Sequence, residues 1–332
     1  MAAKKNFLRY FSKIVCVATL FLIFAGGLVT STGSGLAVPD WPLSYGMVFP
    51  PMVGGVFYEH SHRMVASAVG FLMLCLAICL GMWEKRGWVK KLGWAALGAV
   101  ILQGILGGIT VLFFLPTPVS VAHGMLAQTF FILTIILAYS QSVERQGREG
   151  RTENLTTKKF LKWNLLFIAV IYGQLLVGAI MRHTGAGLAV PDFPTMGGTW
   201  WPTFDEAMVT GINIWRFEHN LDPVTKGQIA IHLVHRLGAL AVAVIAVVLT
   251  CYANKELKNF PPAWRAVFFI DLLVALQIIL GILTVLTQKS PYVTTLHVMA
   301  GAATLGAAVL LALRILPLSW KDFLEVGRKN YA

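Results

Sequence analysis

The chain has 332 residues, of which 57% are hydrophobic and only 13% charged, with a mean hydropathy of +0.70. A soluble domain does not combine so apolar a composition with so few charges, so water is excluded as the solvent for most of the chain. The formal net charge of +12 suggests a nucleic-acid partner at first sight. That reading is excluded because the basic residues are scattered through short segments beside apolar runs, where topology control and anionic lipid account for them.

About 20 apolar residues span the hydrocarbon layer, and the sequence offers eight such runs, at 14–31, 62–83, 93–114, 120–141, 161–181, 229–252, 264–287 and 293–317. They are expected to be helices, because a helix satisfies its own backbone in lipid and the runs lack the alternation of barrel strands. The first run follows Lys4, Lys5, Arg9 and Lys13, but Gly33-Ser34-Gly35-Leu36 is no convincing cleavage site, so it reads as a permanent span. Five segments that alternate spans would place on one side hold 21 of the 27 Lys and Arg residues. The positive-inside rule then puts both termini in the cytoplasm. The four cysteines, Cys16, Cys75, Cys79 and Cys251, all lie in apolar runs and read as packing residues.

The chain repeats itself. Gly33-Ser-Gly-Leu-Ala-Val-Pro-Asp40 returns as Gly185-Ala-Gly-Leu-Ala-Val-Pro-Asp192, His62-Arg63 as His235-Arg236, Gln103 as Gln277 and His123 as His297. The offset grows from 152 to 173 or 174, so about twenty residues are inserted after the second Pro-Asp motif. The expected fold is therefore an all-α integral membrane protein of eight transmembrane helices in two tandem four-helix bundles. An even number of spans per unit makes the repeat parallel, with a pseudo-two-fold axis. The halves divide as 1–150 and 151–332. The loops at about 32–60 and 182–228 are long for a compact bundle and read as functional or lid-like. Pro-Asp-Trp-Pro cannot continue a helix and suits a fixed turn at the headgroup level.

Four of the eight histidines, His62, His123, His235 and His297, sit at matching depth near the outer ends of alternate spans. Even-numbered helices of an up-down bundle run the same way, so two imidazoles can converge from each pair. Facing neutral imidazoles are natural axial ligands for a flat iron macrocycle, which predicts one heme per half. A zinc site wants more ligands close together, and the cysteines are elsewhere. His60, His183, His219 and His232 lack the full symmetry and read as solvated or beside the ligands. Glu59 stands where the second half has His232, on the face of His62 one turn outward, aimed at the macrocycle rim. Such a carboxylate can move a proton or stabilise developing positive charge. Arg63 and Arg236 are candidates for pairing with heme propionates, with snorkelling as the competing role. Gln103 and Gln277 read as interhelical hydrogen-bonders.

These residues together resemble the heme A synthase family, through Gly33-Ser-Gly-Leu-Ala-Val-Pro-Asp-Trp-Pro42, Glu59-x-x-His62-Arg63, His123 and their second-half copies. The resemblance covers almost the whole chain. It implies oxidation of a methyl group of heme O to a formyl group, giving heme A for cytochrome oxidase. It further implies that His62 and His123 ligate the substrate heme, that His235 and His297 hold a b-type heme as cofactor, and that Glu59 is catalytic. Heme O synthase and cytochrome oxidase assembly factors become candidate partners beside membrane lipid and an electron acceptor, with a homo-oligomer as a further candidate. Many members of that family carry a cysteine pair in the first outer loop, and this chain has none there. The alternative reading is a di-heme b-type membrane cytochrome passing electrons between quinone and an outer partner, which the four histidines would serve equally. A transporter ranks last, since matched histidine pairs at one depth are foreign to that class.

Overall fold

The computed structural model describes residues 2–147, 158–257 and 261–315. Its helices are α1 (Ala2–Ser31), α2 (Gly55–Trp83), α3 (Gly87–Leu112), α4 (Thr117–Ser140), the short α5 (Val143–Gly147), α6 (Lys158–His183), α7 (Glu206–Glu218), α8 (Lys226–Glu256), α9 (Pro261–Leu286) and α10 (Pro291–Ile315). Eight of these are long and apolar enough to cross a membrane, and no strand occurs among the described residues. The expected boundary between the halves, at 150, lies outside the described residues.

Helix starts follow from local chemistry. The α9 and α10 helices begin on Pro261 and Pro291, where the missing N–H costs nothing because first-turn donors have no intrahelical acceptor. For α8 the Thr225 side chain accepts from the Gln228 N–H while Gln228 accepts from the Thr225 N–H, a reciprocal cap. The helices outrun the predicted spans: α1 starts at Ala2 and so contains Lys4, Lys5, Arg9 and Lys13. Hydropathy marks only the stretch within hydrocarbon, whereas the helix itself continues into headgroups where Lys and Arg are at home.

Contacts in each half close into a ring: α1 with α2, α2 with α3, α3 with α4 and α4 with α1, then α6 with α8, α8 with α9, α9 with α10 and α10 with α6. The rings abut through α1, α4, α6 and α10. In lipid such contacts rest on close van der Waals packing and interhelical hydrogen bonds rather than on expulsion of water. Phe131 and Ile135 of α4 press on Gly306 of α10, where a Cβ would lie 2.8 Å from Ile135. At the end that carries the two long loops, Arg182 donates to the Gly27 oxygen and the Ser31 hydroxyl at 2.8 and 2.7 Å, and Thr295 donates to Ser31 at 3.0 Å. The α7 helix lies inside the inserted residues of the second long loop, where hydropathy marks no span. It packs Met208 and Ile212 with Ala186, Val190 and Met196 in a small separate core, while Trp200, Trp201 and Phe217 stay exposed beside it.

Candidate functional site

The two long loops fold alike, which positions everything beneath them. Asp40 accepts the N–H groups of Tyr45 and Gly46, and Asp192 accepts those of Gly197 and Gly198. Each acid therefore closes a turn, and the Trp41-Pro42 and Phe193-Pro194 peptides are both cis. The Gly46 N–H holds the Asp40 carboxyl below the usual carboxylate range. Burial pushes Asp192 the other way, but Thr195 and the Gly198 and Gly197 N–H groups outweigh it and leave Asp192 lowered as well. Each turn is then clamped from below: Arg63 donates to the Asp40 and Leu43 oxygens, both at 2.7 Å, and Arg236 to the equivalent Asp192 and Thr195 oxygens at 2.6 and 2.8 Å. The arginines considered for heme propionates thus bind loop carbonyls in this structure.

Beneath the clamps lie the four histidines. They fall six to nine residues inside α2, α4, α8 and α10, about 9–14 Å along helices that all start at the long-loop end. Within each ring α2 stands diagonal to α4 and α8 to α10, so the two histidines of each pair lie on opposite helices of their bundle. The His235 and His297 rings are 6.3 Å apart, centre to centre, with planes at 69°. Two metal–imidazole bonds of about 2.0–2.1 Å, with about 1.1 Å from each nitrogen to its ring centre, span about 6.2–6.4 Å. That separation is too great for a hydrogen bond between the rings and fits a metal ion held between them. In the first half, His62 of α2 and His123 of α4 occupy the matching positions.

Every one of these rings leans on a glycine of the neighbouring helix. A Cβ on Gly26 would lie 3.0 Å from His62 Cε1, on Gly107 3.3 Å from His123, on Gly178 3.2 Å from His235 and on Gly281 3.1 Å from His297. The four glycines are themselves repeat mates, at offsets of 152 and 174. Gly281→Ala and Gly178→Ala are therefore expected to push their imidazoles off line at a cost of about 1–3 kcal/mol. The heme-to-protein ratio and the low-spin spectrum of the purified protein would show the loss.

The halves differ around one carboxylate. Glu59 is 4% exposed, accepts the Val38 N–H at 2.9 Å and pairs with Arg63 at 2.6 Å. In the second half the Val190 N–H, equivalent to that of Val38, points at His232 Nδ1 instead, at 3.2 Å. The loop needs an acceptor there in both halves, but only the first half uses a carboxylate. Beside Glu59, His60 Nδ1 shares a 2.8 Å hydrogen bond with the Ser44 hydroxyl, a pair that the second half replaces with Leu233 and Met196. His60 and His232, which the sequence leaves as solvated or beside the ligands, are 6% and 3% exposed and so not solvated. Packing of the loops onto α2 and α8 buries them, which span boundaries alone do not reveal. Gln103 makes the expected interhelical bond, donating to the His123 oxygen at 2.9 Å, and the Gln277 main-chain oxygen lies 3.1 Å from His297 Nδ1.

Fold and site together define a multi-pass membrane protein with two like rings of helices, in which His235 faces His297 in the second ring and, among the described residues, the buried carboxylate of Glu59 stands one turn from His62 in the first. The sequence model of the cytochrome oxidase assembly protein family matches residues 54–309. The chain belongs to that family. It is 28% identical over 302 residues to the heme A synthase of Lysinibacillus sphaericus, covering 88% of this chain and 90% of that protein. The heme A synthase of Halalkalibacterium halodurans is 28% identical over 301 residues, 87% of this chain and 91% of its own length. That of Bacillus licheniformis is 33% identical over 187 residues, covering 54% and 60%.

Proposed function

We infer that the protein is a heme A synthase, oxidising a methyl substituent of heme O to a formyl group. The observation that carries this reading is an asymmetry laid over a symmetry: both halves set two glycine-backed imidazoles on opposite helices, and among the described residues only the first half adds a buried carboxylate, Glu59. His62 and His123 would ligate the heme that is changed, and His235 and His297 a b-type heme that stays. Bound there, the second heme supplies one-electron redox chemistry. Glu59 is held by Val38 and Arg63 one turn from His62, and with a heme held by His62 and His123 it would be the carboxylate available to take a proton from the reacting substituent or to stabilise positive charge on it. Arg63 keeps that carboxylate oriented and fixes the loop above it. The Lys and Arg distribution supports a plasma-membrane placement with both termini in the cytoplasm and the long-loop end outward; Arg148, Arg151, Lys258, Lys321, Arg328 and Lys329, which contribute to it, lie outside the described residues.

Incubating the purified protein with heme O and extracting its pigments tests the reading. A hydroxylated or formyl-bearing heme is expected. Heme O recovered unchanged beside protoheme would instead mark an electron carrier.

A further inference from the structure

The two bundles hold His62 and His235 differently. Gln174 of α6 places its amide nitrogen 3.1 Å from His235 Nδ1 and donates to the His235 main-chain oxygen at 2.8 Å. At the matching position of α1 the first half has Leu22, and there His62 Nδ1 is buried with no hydrogen-bond partner among the described residues. The exchange is paired with a second one. The amide fits beside α8 because residue 238 is glycine, where a Cβ would collide with the Gln174 side chain; the first half has Val65 at that position. One bundle thus carries an apolar Leu/Val pair, and the other an amide with space made for it.

A histidine that binds iron through Nε2 carries its hydrogen on Nδ1, and the group accepting that hydrogen sets the ring's orientation and its strength as a donor. In this structure the amide nitrogen faces Nδ1 and also donates to the His235 main-chain oxygen, so offering the amide oxygen to Nδ1 instead means giving up that main-chain bond, whereas Leu22 brings no polar atom at all. A site that must release its product calls for the weaker hold, and a site for a permanent heme for the stronger one. We propose that Gln174, given room by Gly238, is the positioning residue that makes the second-half heme resident, and that Leu22 with Val65 leaves the first-half heme exchangeable. This rests on the two-heme reading above.

The test follows heme transfer from the full-length, heme-loaded protein to excess apomyoglobin, together with the midpoint potential of each heme. Wild type should show a fast and a slow phase. Gln174→Leu should speed the slow phase about 10–100-fold and raise the potential of that heme, leaving the fast phase unchanged. Gln174→Glu should restore slow transfer and lower the potential, which a purely packing role would not do. Gly238→Ala keeps the glutamine but displaces its amide, and should match Gln174→Leu. If the folded Gln174→Leu or Gly238→Ala protein keeps the wild-type slow phase and potential, the role of Gln174 is overturned while the two-heme reading stands. A wild-type protein with no slowly released heme would overturn both.

Discussion

Replacing Glu59 with glutamine is expected to slow heme A formation about 10²–10⁴-fold, the usual contribution of a positioned acid or base, while heme binding persists. In this structure the carboxylate accepts the Val38 N–H and pairs with Arg63, and these contacts are separable from its proposed part in the chemistry. Glutamine keeps an oxygen for Val38 and loses the charge. A sharper variant is Glu59→His, which copies the arrangement of His232 and the Val190 N–H in the second half. That protein should fold, keep its first long loop in place and bind heme O, yet convert almost none of it. The ratio of heme A to heme O in extracted pigment reads the outcome. If Glu59→Ala formed heme A at the wild-type rate, the residue would have no part in the chemistry.

Alanine at any one of His62, His123, His235 and His297 should have the other large effect. Loss of a group that merely orients a metal ligand costs about 10–100-fold in affinity, so loss of the ligand itself should exceed that. His235→Ala and His297→Ala should each remove the resident heme from the purified protein and stop turnover. His62→Ala and His123→Ala should leave the resident heme's spectrum intact and abolish binding of added heme O. Difference spectra recorded during heme O titration distinguish these patterns, and equal losses in all four variants would contradict the division of labour between halves.

Most of this architecture was legible in the sequence because lipid imposes a simple rule on composition. The eight span centres and the imidazole positions follow from hydropathy and from the internal repeat. Helix ends do not, because α1 and α8 run past the apolar stretch that marks them. The α7 helix was hidden in the inserted residues, although Asp205 accepting the Met208 N–H and the burial of Met208 and Ile212 on one face are an ordinary cap and an ordinary amphipathic pattern. The loop-carbonyl partners of Arg63 and Arg236 are not legible either, since sequence spacing cannot show that the long loops fold back over α2 and α8 to meet them. Gln174 escaped notice for the opposite reason. A search for repeated residues passes over a glutamine whose mate is Leu22, and only the collision between its amide and a Cβ at residue 238 reveals that the pair was exchanged together.

The facing imidazoles are the centre of this account, and the optical spectrum of the purified, heme-loaded protein with pyridine hemochrome analysis tests them most directly. Two six-coordinate low-spin hemes per chain are predicted, one of them protoheme and the other heme O or its oxidised products. A loaded protein without Soret absorbance, or with heme that stays high-spin in both halves, would contradict it.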